Sequence, residues 1–131
     1  MIARDVLLVF AGGAIGTAVR YSLGAILPVD SGLPVTLAIN VTGALLLGIL
    51  TGWVGSRTDR TSLDLLTFLG TGVLGGYTTY GMFAVDTDGL LDTARFGDGI
   101  LYGAATVLLG AGAALGGLAL GAAIARRRTV R

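Results

Sequence analysis

Long apolar stretches separated by short polar segments dominate the pattern along this chain. Residues 31–56 contain no Asp, Glu, Lys or Arg, and as a helix they would be about 39 Å long. The hydrocarbon core of a bilayer is about 30 Å thick, so this stretch is long enough to span it. The same reasoning predicts four transmembrane helices, at about residues 6–27, 33–55, 65–85 and 99–124.

The composition agrees with an all-α membrane protein in which residues 1–131 form a single transmembrane domain. Of the 131 residues, 53% are hydrophobic and 13% are charged, whereas a typical soluble domain has about 25% charged residues. A cleaved signal peptide over residues 1–19 is an alternative for the first apolar run, because Arg4 precedes it. The apolar character resumes after Arg20, which favours a membrane span.

Arginine is distributed unequally between the two sides that four crossings would create. The N-terminus, the 56–64 loop and the C-terminus share one side with seven arginines, whereas the loops at 28–32 and 86–98 carry one. The positive-inside rule therefore predicts a multi-pass protein of the cell membrane with both termini in the cytoplasm. We interpret the arginines at 126–128 as an anchoring tail, because no surrounding fold favours nucleic-acid binding.

Glycines four residues apart recur in the apolar spans, and this spacing lets helices pack closely in lipid. Together the pairs favour a compact bundle with contacts within and between subunits. The pairs are Gly12 and Gly16, Gly48 and Gly52, Gly72 and Gly76, Gly112 and Gly116, and Gly117 and Gly121.

The third predicted span contains a run that forms a poor helix, because paired glycines are followed by threonines and aromatic residues. The run reads Gly75-Gly76-Tyr77-Thr78-Thr79-Tyr80-Gly81-Met82-Phe83. We expect a break near the middle of this helix, which is tolerated at membrane depth where the backbone is buried or lines a cavity. Freed carbonyls would suit a cation, and freed N–H groups an anion. A continuous, kinked packing helix is the alternative.

Several polar side chains lie inside or beside the apolar spans, where each needs a partner or a role. Arg20 would provide a positive charge at a water-filled vestibule that attracts anions, or would extend to the nearby membrane edge. Asn40 would donate to a dehydrated anion or join two helices. Tyr80 and Phe83 are three residues apart, and the positive edges of their rings would suit a small anion in a pore.

The fourth predicted span contains two hydroxyl residues on one helical face, Tyr102 and Thr106. They would form a hydrogen-bonding track, or would bond back to carbonyls of the preceding turn.

Three of these runs, one in each of the first three spans, resemble motifs of the CrcB/Fluc fluoride channels. That family consists of small four-span bacterial and archaeal proteins that assemble as antiparallel dimers. Residues 12–21 read GGAIGTAVRY, similar to the family's GGxxGAxxRY. Residues 34–43 read PVTLAINVTG, similar to P-x-GTLxxNxxG, and residues 75–83 read GGYTTYGMF, similar to GGFTTFSTF.

The resemblance implies passive fluoride efflux that lowers cytoplasmic fluoride, through two pores at the interface of an antiparallel dimer. It implies a structural Na⁺ that is not transported, held by backbone carbonyls of the broken third helix at Gly75 and Thr78. It also implies a vestibule arginine, Arg20, and a fluoride path lined by Asn40, Tyr80, Phe83, Tyr102 and Thr106.

The chain departs from the family pattern at Tyr80, where the family has Phe, and at Gly81 and Met82, where it has Ser and Thr. Two side-chain hydroxyls are therefore missing, and a non-conducting or partly degenerate scaffold subunit is an alternative function. The seven-to-one arginine distribution predicts a fixed orientation. It suggests pairing with a related, oppositely inserted chain, with a homodimer as the alternative.

Two other classes of function fit the residues poorly. A small multidrug-type secondary transporter needs an acid inside a span for proton coupling, and the predicted spans contain none. An enzyme is disfavoured because the chain has no His, Cys or Glu and no acid–base pair within a span.

Overall fold

The computed structural model describes residues 2–27, 33–55, 57–92 and 95–129, with side chains as far as Arg127. In chain order the elements are α1 (Ile2–Ile26), α2 (Leu33–Val54), α3 (Arg60–Leu65), a π-helix (Leu66–Leu74), α4 (Gly75–Tyr77), α5 (Tyr80–Asp92) and α6 (Phe96–Thr129). All regular structure in these ranges is helical, which confirms the all-α part of the predicted fold class. The predicted loop at 28–32 and the terminal Arg131 lie outside the described residues.

Three helices in the described part of the chain are long and apolar enough to cross a membrane, namely α1, α2 and α6. They match the predicted spans at 6–27, 33–55 and 99–124 to within five residues at either end. The predicted span at 65–85 is instead divided among α3, the π-helix, α4 and α5, so four single spanning helices are not confirmed. The glycines and threonines of this segment disfavour one continuous helix.

The elements from α3 to α5, residues 60–92, are here called the third segment. This segment is interrupted at Thr78 and Thr79, where the sequence predicts a break. Thr78 has φ −73° and ψ 160°, which is extended backbone. A continuous, kinked helix is therefore excluded. The π-helix that precedes the break is a rare geometry that occurs frequently at functional sites.

Close-packed glycines join the helices in two pairs. The first pair consists of α1 and the third segment, in which α1 packs against the π-helix and α4. A Cβ added to Gly12 would lie 2.9 Å from the Cα of Gly72. A Cβ added to Gly16 would lie 2.7 Å from the backbone N of Tyr77. The second pair, α2 and α6, is packed in the same way through Gly48, Gly52, Gly117 and Gly121.

One predicted glycine pair has no contact of this kind. A Cβ added to Gly112 or Gly116 would meet nothing within 4 Å. The buried apolar core of the described residues is also small, and consists of Ile39, Leu50, Val54 and Leu90. Large apolar side chains lie on the outside of the long helices, as expected for surfaces that face lipid or a second subunit.

The direction of the helices brings the two chain ends to the same end of the molecule. The helices within each pair are parallel, since the contacts advance along both helices together. In the first pair they go from Gly12 beside Gly72 to Gly16 beside Tyr77, and the second pair is alike. The two pairs are antiparallel, since Asn40 of α2 contacts Thr79, whereas Leu50, further along α2, lies beside Gly70, which precedes Thr79. The start of α1, residues 57–64 and the end of α6 therefore share one end, here called the terminal end.

Ionic contacts hold α1 to α3 at the terminal end. Arg4 pairs with Asp64, and Arg60 pairs with both Asp5 (2.8 Å) and Asp64 (3.2 Å). The carboxylate of Asp59 caps α3.

This cap is formed by two hydrogen bonds from Ser62. The Ser62 hydroxyl donates to Asp59 Oδ1 at 2.8 Å, and the Ser62 backbone N–H donates to Oδ2 at 3.0 Å. Both bonds favour the ionised carboxylate and lower the pKa of Asp59.

Candidate functional site

The side chain of Asn40 holds the broken backbone of the third segment. Asn40 Nδ2 donates to the carbonyl oxygen of Thr79 at 3.0 Å, and the Thr79 N–H donates to Asn40 Oδ1 at 2.8 Å. This amide therefore satisfies both backbone groups of a residue that has left the helix. One of the two N–H groups of Asn40 is used in this way, and the second has no acceptor among the described residues.

The two threonine hydroxyls at the break also act on the backbone. Thr78 Oγ1 donates to the carbonyl oxygen of Leu74 at 2.9 Å. The Met82 N–H donates to Thr79 Oγ1 at 3.1 Å, so Thr79 serves as the N-cap of α5. The end of α4 and the start of α5 are thus stabilised separately.

These contacts release the two carbonyls that the resemblance assigns to Na⁺. In a continuous α-helix the Thr79 N–H would donate to Gly75 O, and the Met82 N–H would donate to Thr78 O. Here the first donates to Asn40 and the second to the Thr79 hydroxyl. Carbonyl oxygens without helical donors are suitable ligands for a hard cation. The described residues contain no group of three or more His, Cys, Asp or Glu side chains that would hold a metal.

An open cavity of about 450 Å³ lies beside the break. Six of the eight predicted site residues line it, namely Asn40, Gly75, Thr78, Tyr80, Phe83 and Thr106. Tyr80 is 81% exposed in the single chain, so the cavity is open on the side of this ring.

Three aromatic rings lie next to one another between this cavity and α6, namely Tyr80, Phe83 and Tyr102. The ring centroid of Phe83 lies 6.0 Å from that of Tyr80 and 5.8 Å from that of Tyr102. The Tyr102 hydroxyl donates to Asp86 Oδ2 at 3.2 Å, and Thr106 Oγ1 donates to the carbonyl oxygen of Tyr102 at 2.8 Å. The Thr106 hydroxyl therefore bonds to the preceding turn, as in one of the two predicted alternatives.

Arg20 lines a second cavity, of about 770 Å³, on the other side of the break. Thr17, Thr36 and Met82 line the same space, and Thr79 lines both cavities. Arg20 is half-buried, and among the described residues no carboxylate lies within 4.0 Å of its guanidinium. Within that part of the chain, its charge therefore acts on the cavity without an ionic partner.

Sequence reasoning missed two contacts of this site. The first is the hydrogen bonding of Asn40 to the Thr79 backbone, which joins residues that are 39 positions apart. Asn40 and Thr79 belong to separate sequence motifs, and neither motif indicates that the two residues are in contact. The contact of Asp86 with Tyr102 likewise crosses from α5 to α6. The three-residue spacing of Phe83 and Asp86 places both on one face of α5, and this is the signal that was available.

The chain is similar in sequence to proteins of one known family. A family model described as "CrcB-like protein, Camphor Resistance (CrcB)" matches residues 7–118. The chain is 52% identical over 130 residues to "Fluoride-specific ion channel FluC 2" of Leifsonia xyli subsp. xyli, covering 97% of this chain and 90% of that protein. It is 38% identical over 118 residues to "Fluoride-specific ion channel FluC" of Caulobacter vibrioides (strain NA1000 / CB15N), covering 88% and 93%. A protein with the same name from Beijerinckia indica subsp. indica is 39% identical over 127 residues, covering 94% and 97%.

Proposed function

The chain belongs to the CrcB family, and we propose that it forms a channel through which fluoride leaves the cytoplasm passively. The observation that carries this proposal is the pair of cavities that meet at the broken helix. Arg20 lines one cavity, whereas Asn40, Tyr80, Phe83 and Thr106 line the other. The buried Thr79 borders both and is the point at which a permeating ion would pass between them.

Fluoride must exchange its tight hydration shell for donors in the channel, and must bind weakly enough to leave again. The free N–H of Asn40 and the ring edges of Tyr80 and Phe83 are available for this role as the site stands. Tyr102 and Thr106 each donate their single hydroxyl hydrogen elsewhere, to Asp86 and to a backbone carbonyl. These hydroxyls would contact fluoride only after rotating away from their present acceptors.

A structural Na⁺ is part of the proposal, with the Gly75 and Thr78 carbonyls as ligands. When bound, it would fix the broken backbone and place a positive charge beside the first cavity. Two carbonyls are too few to enclose a Na⁺ ion. The same residues of a second subunit would complete the coordination.

We infer that the working form is an antiparallel dimer with both termini of this chain in the cytoplasm. A second subunit would cover the exposed ring of Tyr80 and the open cavity beside it. The arginine distribution disfavours dual insertion of one sequence, so the partner in this proposal is a related chain of opposite orientation. A homodimer remains the alternative arrangement.

The test is fluoride efflux from liposomes, followed with a fluoride electrode. Liposomes that contain this chain alone are compared with liposomes that also contain its oppositely inserted relative, and with empty liposomes. Flux with the chain alone would support a homodimeric channel, and flux only with both chains would support a heterodimeric one. Absence of flux in both preparations would contradict the channel function and favour the scaffold subunit.

A further inference from the structure

The arginines at the terminal end divide into two groups by their partners. Arg4 and Arg60 are neutralised in ion pairs with Asp5 and Asp64. The second group forms no ion pair within 4.0 Å in the described part of the chain, and consists of Arg57, Arg126 and Arg127. Among the described residues, the arginines of this end that form no ion pair therefore lie just after α2, at Arg57, and on α6, at Arg126 and Arg127.

Helix packing places Arg126 beside the end of α2. A Cβ added to Gly121 of α6 would lie 2.7 Å from the backbone N of Trp53, near the end of α2. A Cβ added to Gly52 would likewise lie 2.9 Å from the N of Ala122. Arg126 is one turn beyond Ala122 on the same face of α6, about 6 Å further along the helix axis. It therefore emerges where α2 has just ended.

The chain that follows α2 turns back over the same place. Gly55 has φ +55°, a left-handed conformation that glycine adopts without strain, and it ends α2. The guanidinium of Arg57 then lies 5.5 Å from the centroid of the Trp53 ring. Asp59, the acid closest in sequence, uses both carboxylate oxygens to accept hydrogen bonds from Ser62.

The position of Trp53 indicates where this surface lies relative to the membrane. Tryptophan is enriched at membrane–water interfaces, where its ring lies at the level of the lipid headgroups. Arg57 lies over the ring without an ion pair among the described residues, and a planar guanidinium matches a phosphate with two parallel hydrogen bonds. The apolar side chains of Leu118 and Ile124 on α6 are exposed nearby and would contact acyl chains.

We propose that Trp53, Arg57, Arg126 and Arg127, here called the arginine patch, bind the phosphate of an anionic phospholipid headgroup. The charge of the patch, the depth set by Trp53 and the adjoining apolar surface of α6 all fit a lipid better than a soluble anion. Basic pockets between transmembrane helices on the cytoplasmic side are known to bind such headgroups. This proposal does not depend on fluoride conduction.

The experiment uses the full chain in micelles of an uncharged detergent, so that insertion orientation has no influence. Native mass spectrometry measures the binding of added 1-palmitoyl-2-oleoyl phosphatidylglycerol and of the matching phosphatidylcholine. We expect the wild type to prefer phosphatidylglycerol and each arginine-to-glutamine substitution in the patch to weaken binding about fivefold. Arg95→Gln is the matched control, since Arg95 is exposed just before α6 at the opposite end, and it should leave binding unchanged.

Three results of these binding measurements would overturn the proposal, and a competition experiment adds a fourth. They are equal binding of the two lipids by the wild type, undiminished binding by the variant R57Q/R126Q/R127Q, and an equal loss with Arg95→Gln. Competition by millimolar inorganic phosphate would identify a general anion site and would also reject the lipid. If the triple variant does not fold, the single substitution Arg127→Gln at an exposed position replaces it, with the same fivefold expectation.

Discussion

Replacing Asn40 by alanine separates its structural role from its role in binding an ion. In the wild type its amide satisfies the N–H and the carbonyl of Thr79, a residue that is only 9% exposed. The substitution leaves both backbone groups without a partner, and each such group costs about 1–3 kcal/mol. We therefore expect Asn40→Ala to lower the free energy of unfolding by about 2–6 kcal/mol.

The matched control for this change is Thr42→Val, two residues further along α2. The Thr42 hydroxyl lies 2.9 Å from the Tyr77 hydroxyl, so this bond also joins α2 to the third segment. It satisfies no backbone group at the break, and its loss should cost about 0.5–1.5 kcal/mol. The two variants thus remove hydrogen bonds between the same elements with different consequences for the backbone.

The measurement is reversible unfolding by denaturant in detergent micelles, without fluoride in the buffer. Because fluoride is absent, a loss of stability reflects the support of the Thr79 backbone and not fluoride binding. An Asn40→Ala variant no less stable than Thr42→Val would refute the assignment of Asn40 as the support of the break.

Three further predictions follow from other contacts. Gly121→Ala should destabilise the α2–α6 pair, because the added Cβ meets backbone, whereas Gly116→Ala should gain up to about 1 kcal/mol of helix propensity; thermal unfolding of both variants checks this, and equal effects would contradict the packing. Arg20→Gln should reduce fluoride flux about tenfold at low ionic strength and by much less in 1 M salt, where the Debye length is about 3 Å; a loss that is independent of salt would argue against an electrostatic role. The pKa of Asp59 is lowered in the folded state, so its cap on α3 is fully stabilising above pH 3.8 and is lost as the pH falls through the folded pKa. The difference in unfolding free energy between the wild type and Asp59→Ala should therefore shrink on acidification, and a constant difference would reject the cap.

The long helices and the break were predictable because each depends on residues that are close in sequence. Uninterrupted apolar runs locate α1, α2 and α6, and the glycine pair before Thr78 and Thr79 locates the break. The π-helix at 66–74 was not predictable, since a shift from i→i−4 to i→i−5 hydrogen bonds leaves no mark on the apolar pattern.

The candidate site was predictable as a set of residues but not as a set of contacts. Family motifs point to Asn40, and the cavity beside the break contains it. That its amide supports the Thr79 backbone depends on how α2 meets the third segment, which spacing along one helix does not give. For the same reason the sequence did not distinguish Gly117 and Gly121, which pack on α2, from Gly112 and Gly116, which are uncovered.

The pairing of α2 with α6 has a consequence for the order of assembly during synthesis. Gly48 and Gly52 receive their partners only when residues 114–122 have been translated and inserted. Before that point, α2 lies in the bilayer without the helix against which it packs. The amide of Asn40 gains its partner earlier, once Thr79 has been synthesised. A nascent chain stopped before α6 would therefore display unmatched glycine grooves to the quality-control proteases of the membrane.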